Sequence, residues 1–318
     1  MCANQGDGGH GGGARQAVRR AAREGGVEVL ERVELAAWTS LRVGGPADLL
    51  VRCTSAEGVI RAVRALCGSG SGWLVLGAGS NLLVPDAGLR VPVIALAGEL
   101  AGWELEIDGV VAGGGANLTQ LARAAVRSGL DGLVELFGVP GTLGGGVAMN
   151  AGAHGVELFS LLEWVETVLP PGRLLRRDAD RIPHGYRWAG LAPGEVVVRA
   201  RLRLRPGHLG EMNRRLAEIA RLRRERLPSA RSAGSVFKNP ETAPAGRLLE
   251  AAGCKGLRVG GARVSDLHAN VVVTDRGASA ADVLELVRLM RDRVLERFGV
   301  ALEPELRIVD QWGKVVPL

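Results

Sequence analysis

The chain has 318 residues, of which 47% are hydrophobic and 23% charged, with a net charge of +6 at pH 7. This is an ordinary soluble profile, long enough for two or three domains. It contains no apolar run of about 18 residues and no hydrophobic N-terminal region, so neither a membrane span nor a secretory leader is predicted. Four scattered cysteines without a Cys-x-x-Cys pair fit a reducing cytoplasm. The aromatic residues (six Trp, four Phe, one Tyr) offer few rings for stacking bases, so nucleic acid is not the predicted partner.

The N-terminal part reads as a tail followed by strands and a helix. Residues 1–25 are Gly-rich and then basic, and we predict a disordered tail that runs into a short helix. Apolar patterning predicts strands at 49–51 and 73–76 and a helix that starts at Ser55 and ends at Gly68. The second strand leads into the motif G-A-G-S-N-L at 77–82. No helix pattern follows, so this is not the dinucleotide fingerprint. Taken alone, the motif is equally compatible with a plain tight turn.

The stretch 135–155 is the most distinctive part of the chain. It reads E-L-F-G-V-P-G-T-L-G-G-G-V-A-M-N-A-G-A-H-G, with seven glycines and no Lys or Arg. Concentrated glycine costs backbone entropy and is typical of a backbone that closely approaches a ligand. The missing lysine argues against a Walker-type phosphate loop, and the interleaved apolar residues argue against a flexible linker. We therefore predict a loop that donates backbone amides to a flat or extended cofactor.

The remaining elements follow from periodicity. A strand at 93–96, a hairpin around Asp108-Gly109 and a helix at 118–127 precede the glycine stretch. After it come strands at 164–169 and 196–204, a domain border at Pro206-Gly207, helices at 212–227, 245–252 and 280–298, a strand at 270–274 and a short strand within 302–309. The chain carries no H-E-x-x-H, no G-x-S-x-G and no dense His/Cys cluster, so no metal is predicted. The isolated histidines His154, His184 and His268 are read as structural hydrogen-bonding groups.

Three residues remain as candidates for chemistry. Arg187 lies in H-G-Y-R-W and could clamp a carboxylate, although a surface arginine is the favoured reading without further support. Ser235 lies in A-G-S-V-F-K-N-P and Glu305 in L-E-P-E-L-R-I-V. They are far apart in sequence, so only a fold can bring them together.

Seven motifs in this order resemble one family. They are T-S-L-R-V-G-G-P-A-D, G-A-G-S-N-L-L-V, G-V-P-G-T-L-G-G-G-V-A-M-N-A-G-A-H-G, Y-R, A-G-S-V-F-K-N-P, G-G-A-R-V-S-D-L-H-A-N and L-E-P-E-L-R-I-V. Between residues 39 and 309 the chain resembles the MurB-type UDP-N-acetylenolpyruvoylglucosamine reductases. The resemblance implies an α+β fold with a two-subdomain FAD-binding domain of the p-cresol methylhydroxylase type at 26–206 (subdomains 26–97 and 98–206). A smaller α+β substrate-binding domain at 207–310 and a tail at 311–318 complete the predicted organisation.

The resemblance also implies an activity. The family reduces UDP-N-acetylglucosamine enolpyruvate to UDP-N-acetylmuramate for peptidoglycan synthesis, with non-covalent FAD and with NADPH as hydride donor. Flavin N5 passes hydride to the vinyl carbon, Ser235 gives the proton, and Arg187 and Glu305 stabilise the developing negative charge. An enolate-like state needs such preorganised charges and donors. A carboxyl that donates must be protonated, so we expect a raised pKa for Glu305.

The same resemblance assigns binding residues. The implied FAD contacts are Gly77, Ala78, Gly79, Ser80, Asn81, Leu82, Gly138, Val139, Pro140, Gly141, Gly144, Gly145, Met149, Asn150, Ala151 and Gly152. The implied substrate contacts are Asn239 and Arg307. A cytoplasmic, monomeric enzyme without nucleic-acid or membrane partners is expected.

The sequence departs from the family pattern in a few places. Trp188, Cys254 and His154 stand where Ser, Leu and Tyr are usual, and none of them is a proposed catalytic position. The segment 187–196 is short, which resembles the subgroup that lacks the tyrosine-bearing loop over the substrate. Two alternatives stay open: an alcohol or lactone oxidase on the same FAD domain, with flavin attached to His or Cys, and a basic nucleotide-binding protein without catalysis.

Overall fold

The computed structural model describes residues 11–318, which form helices and strands. The helices are α1 (Gly11–Arg23), α2 (Ala56–Gly68), α3 (Leu118–Arg127), α4 (Leu143–Ala148), α5 (Leu209–Arg226), α6 (Ala245–Ala251) and α7 (Ala280–Phe298). The strands up to the middle of the chain are β1 (Val27–Glu34), β2 (Pro46–Cys53), β3 (Leu74–Leu76), β4 (Leu82–Leu83), β5 (Val93–Leu96), β6 (Trp103–Glu106), β7 (Gly109–Gly113), β8 (Leu130–Asp131), β9 (Gly152–Ala153) and β10 (Val156–Glu157). The later strands are β11 (Leu162–Leu169), β12 (Arg173–Asp178), β13 (His184–Gly185), β14 (Trp188–Ala189), β15 (Val196–Arg203), β16 (Arg205–Pro206), β17 (Ser232–Ser235), β18 (Arg258–Val259), β19 (Ala262–Val264), β20 (Val271–Thr274) and β21 (Arg307–Ile308).

These elements form two compact units. Of the described residues, the first contains those up to Glu31 together with Leu49–Ala78 and Val91–Arg221, and the second contains Arg32–Asp48, Gly79–Arg90 and Leu222–Leu318. The chain therefore changes unit inside α5, later than the border predicted at 206/207. The reason is that the first part of α5 packs against the first unit.

Helix α5 is held to the first unit by apolar packing and by charge. Met212 and Ile219 are buried in the apolar core of that unit. Arg215 donates to Asp131 Oδ2 at 2.9 Å and also pairs with Glu135. Burial raises the pKa of the Asp131 carboxyl, but hydrogen bonds from Arg215 and from Gly132 N more than offset this and hold that pKa below its ordinary value.

Two sheets build the first unit. The order β1-β2-β5-β3 forms one, in which β2 and β3 each pair with β5 in parallel. The other has the order β12-β11-β15-β7-β6, with antiparallel pairings. Strand β15 alternates as predicted: Val196, Val198, Ala200 and Leu202 are buried, whereas Arg199 and Arg203 are exposed. This alternation places the apolar side chains in the core and Arg199 and Arg203 in water, while Arg201 is largely covered by its ion pairs with Glu106, Asp108 and Glu163.

The second unit consists of the antiparallel sheet β17-β20-β19-β18 and the helices α6 and α7. Helix α7 has the bounds that the sequence predicts, and it begins with a capping box in which Ser279 Oγ accepts from Asp282 N and Asp282 Oδ2 accepts from Ser279 N. The carboxylate of Asp86 accepts from Ala280 N and Ala281 N. The segment Gly79–Arg90 is thereby fastened to the start of α7 within this unit.

Two segments, one early and one late in the chain, pack against the apolar cores. Residues 1–10 of the predicted N-terminal tail lie outside the described residues, but residues 11–23 form α1, whose Ala14 and Val18 are buried in the core. At the other end, Val316 N donates to Ile308 O at 2.9 Å, and Val316 and Leu318 pack against the core of the second unit. The short helix predicted after the N-terminal tail is therefore present as α1, and at both segments the burial of apolar side chains offsets the entropy of ordering them.

Candidate active site

The glycine-rich stretch folds more regularly than the predicted open loop. It contains α4, whose cap Thr142 accepts from Gly145 N through Oγ1 at 3.3 Å. Gly144 N donates to Gly114 O at 2.7 Å, and a Cβ on Gly144 would lie 3.0 Å from that oxygen. The amide of Gly144 is therefore used inside the protein, contrary to the prediction that it faces a cofactor. Glycine at this position is needed for packing.

Gly145 differs from its neighbour. It is exposed and helical, and a Cβ there would come no closer than 3.5 Å to another part of the protein, at Thr142 Oγ1. Neither packing nor backbone conformation requires a glycine at this position. Since Gly in a helix costs about 1 kcal/mol relative to Ala, the open surface over Gly145 is a cradle that a side chain would fill. This feature fits a cofactor that approaches the backbone.

The first glycine motif begins beside this helix. A Cβ on Gly77 would lie 2.6 Å from Thr142 Oγ1, so Gly77 packs directly on the cap of α4 within the first unit. The two glycine motifs predicted to share a cofactor are therefore brought together at this point. Of the predicted cofactor residues, Gly77, Ala78, Gly138, Val139, Pro140, Gly141, Gly144, Gly145, Met149, Asn150, Ala151 and Gly152 belong to the first unit, and Gly79, Ser80, Asn81 and Leu82 belong to the second.

Strained backbone is concentrated near the end of the glycine stretch. Asn150, His154 and Arg187 have φ angles of 40°, 51° and 64°, in the left-handed region that non-glycine residues avoid. His154 shares the two-residue turn between β9 and β10 with Gly155, whose φ is also positive, so this strain belongs to a tight hairpin. Arg187 likewise lies in a two-residue turn, between β13 and β14, whereas Asn150 lies outside such a turn, and strain of its kind is often found at functional sites.

Arg187 lies in the turn between β13 and β14, where a positive φ is usually supplied by Gly or Asn. Its guanidinium lies over the Tyr186 ring, 4.7 Å from the centroid, and Arg187 Nη2 donates to Gly152 O at 3.2 Å. A Cβ on Gly152 would lie 3.4 Å from Arg187 Nη1. The predicted catalytic arginine is thus held against the glycine-rich stretch, which argues against the reading of an uninvolved surface arginine.

In the second unit, the backbone brings Ser235 and Glu305 to neighbouring positions. Ser235 ends β17, and the next residue, Val236, accepts hydrogen bonds at its carbonyl from Glu305 N (2.8 Å) and Leu306 N (3.1 Å). Asn81 Nδ2 donates to Glu305 O at 2.9 Å. The backbone N–H and C=O of Glu305 are therefore both hydrogen-bonded, to Val236 and Asn81, which lie 69 and 224 residues away in sequence.

Arg307 lies two residues beyond Glu305 and starts β21, which pairs in parallel with β4 so that Arg307 lies beside Leu82. Arg307 N also donates to Asn81 O at 3.2 Å. The motif G-A-G-S-N-L therefore reaches, through Asn81 and Leu82, the segment that carries two of the predicted reaction and substrate residues. Sequence patterning alone gives no signal for this pairing.

A pocket of about 280 Å³ opens beside Ser235 in the same unit, lined among others by Asn239, Arg247, Glu250 and His268. Asn239 Oδ1 accepts from Ala245 N at 3.0 Å, and the amide nitrogen of the same side chain is a donor of the type that a substrate oxygen would accept from. Burial and nearby Lys255 lower the pKa of His268, so its imidazole is neutral at pH 7. The sequence prediction of His268 as a structural hydrogen-bonding group is confirmed, since its Nδ1 accepts from Asn270 N at 3.2 Å.

Asn270 is the residue in this unit that sequence reasoning missed. It is buried, and its side chain binds both backbone groups of Phe237: Oδ1 accepts from Phe237 N at 2.9 Å and Nδ2 donates to Phe237 O at 2.8 Å. Val236 N donates to Asn270 O at 2.9 Å. The strand segment that follows Ser235 is therefore clamped by one side chain. The motif S-D-L-H-A-N contained this residue, but nothing local to it indicates the clamp.

Arg187 belongs to the first unit, whereas Ser235, Asn239, Glu305 and Arg307 belong to the second. Within residues 11–318, no group of three or more His, Cys, Asp or Glu side chains gathers as a metal site. None of the helices formed by this part of the chain has the length and apolar character needed to cross a membrane.

Comparison with known proteins connects these features. Residues 47–178 match the family described as "FAD binding domain", and residues 226–309 match the family described as "UDP-N-acetylenolpyruvoylglucosamine reductase, C-terminal domain". A UDP-N-acetylenolpyruvoylglucosamine reductase of Rubrobacter xylanophilus is 43% identical over 276 residues, which cover 86% of this chain and 93% of the relative. A second protein of the same name, from Heliobacterium modesticaldum, is 42% identical over 281 residues, which cover 87% of this chain and 90% of the relative.

A solved structure gives the same result. The crystal structure of the UDP-N-acetylenolpyruvylglucosamine reductase of Thermus caldophilus has a TM-score of 0.77 and 40% identity, covering 89% of this chain and 99% of the other. The fold and the matches define a flavin-dependent oxidoreductase with an FAD-binding domain and a C-terminal α+β domain. The chain belongs to the UDP-N-acetylenolpyruvoylglucosamine reductase family. The family and fold class predicted from the sequence are thus confirmed.

Proposed function

We propose that this protein reduces UDP-N-acetylglucosamine enolpyruvate to UDP-N-acetylmuramate, with NADPH as the reductant, in the cytoplasm and as a monomer. The reaction serves peptidoglycan synthesis, the process in which the product of its family is used. Arg187, Ser235 and Glu305 carry the chemistry. The observation that carries the proposal is the pair of hydrogen bonds from Glu305 N and Leu306 N to Val236 O, which makes the Ser235 and Glu305 segments neighbours.

The first unit has features that support FAD binding, and we propose that the FAD is held without a covalent bond. The open surface at Gly145, the packing of Gly77 on Thr142 and the remaining glycine stretch offer backbone to the cofactor without intervening side chains. We assign FAD binding to 77–82 and 138–152, apart from the groups that are already bonded inside the protein. These include the amides of Val139, Gly144, Met149, Asn150 and Ala151 and the side chain of Asn150. Bound FAD supplies the hydride-transfer chemistry that no side chain can provide.

The protein's own residues handle charge and the proton. Negative charge develops on the carbon beside the substrate carboxylate and on that carboxylate, and a guanidinium in fixed orientation stabilises both. Arg187 has this orientation because Gly152 O holds its side chain. Ser235 donates the proton. Glu305, whose backbone N–H and C=O are both hydrogen-bonded, stabilises the developing negative charge by donating a hydrogen bond from its protonated carboxyl group. Asn239 and Arg307 contact the substrate.

Two half-reactions test these roles. Purified protein should be yellow, NADPH should bleach it, and UDP-N-acetylglucosamine enolpyruvate should restore the colour in the absence of oxygen. Ser235→Ala should leave bleaching unchanged and slow the recovery by at least about a hundredfold, as expected for loss of a general acid. Ser232→Ala, on the same strand, is the matched control. Equal slowing of both half-reactions would remove Ser235 from the proton-donor role.

The oxidase alternative makes a different prediction. Its flavin would be attached covalently, and His154, exposed in the β9–β10 turn, is the candidate within the glycine-rich stretch. Acid precipitation should release all yellow colour into the supernatant if FAD is non-covalent. Colour that stays with the pellet, together with reoxidation by oxygen alone, would favour the oxidase.

A further inference from the structure

Asn150 has a side chain that is used entirely within the protein. It is fully buried, with 0% of its surface exposed. Its Nδ2 donates to Glu157 Oε2 at 2.9 Å and to Gly185 O at 3.1 Å, and its Oδ1 accepts from Phe159 N at 3.2 Å. These bonds occupy both donor hydrogens and one acceptor site of the amide. The side-chain amide of Asn150, a residue that the family resemblance places near FAD, is therefore bonded within the protein.

These contacts join two parts of the candidate site. Asn150 follows α4 and the glycines, whereas Gly185 is the last residue of β13, directly before Tyr186 and Arg187. The bond from Asn150 to Gly185 O and the bond from Arg187 to Gly152 O run between the same two segments in opposite directions. The turn that carries Arg187 is thus attached to the glycine-rich stretch at two points.

The backbone conformation of Asn150 would suit a glycine better, which indicates that this position requires the asparagine side chain. Its φ of 40° is unfavourable for a residue with a side chain and costs roughly 1 kcal/mol or more, and a glycine would avoid this cost. An amide is the group that can donate both to a carboxylate and to a carbonyl while it accepts from a backbone N–H. The chemical requirement at this position therefore comes from the side chain.

We propose that Asn150 is a positioning residue for the reaction, whose amide fixes the Tyr186–Arg187 turn to the glycine-rich stretch and thereby places the Arg187 guanidinium. The inference builds on the proposed role of Arg187. Asn150 acts through Arg187 and makes no contact with the substrate. Its replacement should disturb the step that needs Arg187 and spare the step that needs only the flavin.

Asn150→Asp is the variant that separates these steps. It keeps the size of the side chain and the acceptor for Phe159 N, but it removes the donor to Gly185 O and places a carboxylate next to Glu157. Flavin reduction by NADPH should stay within about twofold of the unsubstituted protein, whereas reoxidation by UDP-N-acetylglucosamine enolpyruvate should slow about ten- to a hundredfold. Asn213→Asp, at an exposed position of α5, makes the same charge change and should alter neither rate.

A second substitution distinguishes lost positioning from charge repulsion. In Asn150→Asp/Glu157→Gln the two carboxylates no longer face each other, but the new aspartate still has no donor for Gly185 O. FAD affinity and thermal stability should recover, while substrate reoxidation should stay slow. Full recovery of reoxidation in the double variant would overturn the positioning role.

A spectroscopic readout tests the position of the turn independently of activity. Tyr186 is the only tyrosine in the chain, so protein grown with 3-fluorotyrosine should give a single 19F resonance from the residue beside Arg187. This resonance should shift or broaden in Asn150→Asp and in the double variant, and stay unchanged in Asn213→Asp. If the unsubstituted protein is not reoxidised by the sugar nucleotide, the proposed function fails, and the resonance alone decides whether Asn150 fixes the turn. An unchanged resonance in Asn150→Asp, or equal loss of both half-reactions, overturns the inference.

Discussion

Gly145→Ala should stabilise the protein without cofactor and weaken its binding of FAD. The residue lies in α4, its φ is outside the left-handed region, and the added Cβ would meet Thr142 Oγ1 at 3.5 Å, an ordinary contact distance. Folding therefore incurs no steric cost. Replacing Gly by Ala in a helix contributes about 0.5–1 kcal/mol to stability when the site accepts the side chain. The added methyl group occupies the surface that we assign to FAD, so the dissociation constant should rise about tenfold or more, which corresponds to about 1.4 kcal/mol.

The assay compares two quantities for each variant: the urea midpoint of the deflavinated protein and the dissociation constant of FAD from flavin fluorescence. Two glycines serve as controls. A Cβ on Gly68, at the end of α2, would meet no atom within 4 Å apart from its chain neighbours and the backbone of its own helix, so Gly68→Ala should leave FAD binding unchanged. Gly144→Ala would bring a Cβ to 3.0 Å from Gly114 O, so it should destabilise the protein by about 1–3 kcal/mol. Unchanged FAD affinity in Gly145→Ala would refute the cradle assigned to this surface.

Three further predictions concern the second unit and the core. Asn270→Ala leaves Phe237 N and O buried without their partner, and should lower the free energy of unfolding by about 2–5 kcal/mol in urea melts; a loss below about 0.5 kcal/mol would contradict the clamp. Asp282 accepts hydrogen bonds from the backbone amides of Ser279 and Gly261, which lowers the pKa of its carboxyl group. The ionised carboxylate therefore stabilises the fold fully above its unfolded pKa, and this stabilisation is lost as pH falls through the folded pKa. The difference in free energy of unfolding between the unsubstituted protein and Asp282→Asn should accordingly disappear below about pH 4. Burial raises the pKa of Cys53 to about 12, so this thiol should resist Ellman's reagent at pH 8 until urea unfolds the protein, and rapid labelling in the native state would contradict its burial.

Local sequence signals determined the regular elements well. Helix α7 has the bounds that its apolar spacing predicts, and α3 begins after Asn117, whose Oδ1 accepts from Gln120 N at 3.0 Å. The strand at Val93–Leu96 also has its predicted bounds. Periodicity and caps are properties of neighbouring residues, so a single sequence contains them. The glycine, serine and glutamate motifs likewise indicate the family through their residues and their order along the chain.

Tertiary structure decided which groups remain for a ligand and which are used inside the protein. Gly144 and Gly145 are adjacent and look alike in sequence, yet one amide is bonded to Gly114 O and the other residue lies beneath an open surface. The clamp of Asn270 on Phe237 and the links of Asn150 to Gly185 likewise depend on packing between distant segments.

The same holds for Glu305, which meets Asn81 across 224 residues. Such partners are selected by the requirement that buried polar groups be paired, a condition that is set only when the whole chain has folded. The sequence by itself therefore determined the family, the helices other than α4, part of the strands, and the residue types of the proposed site. The fold decided that Arg187 is held by Gly152 and that the segments of Ser235 and Glu305 are joined through Val236 O, because hydrogen-bond partners far apart in the chain are invisible to local patterns.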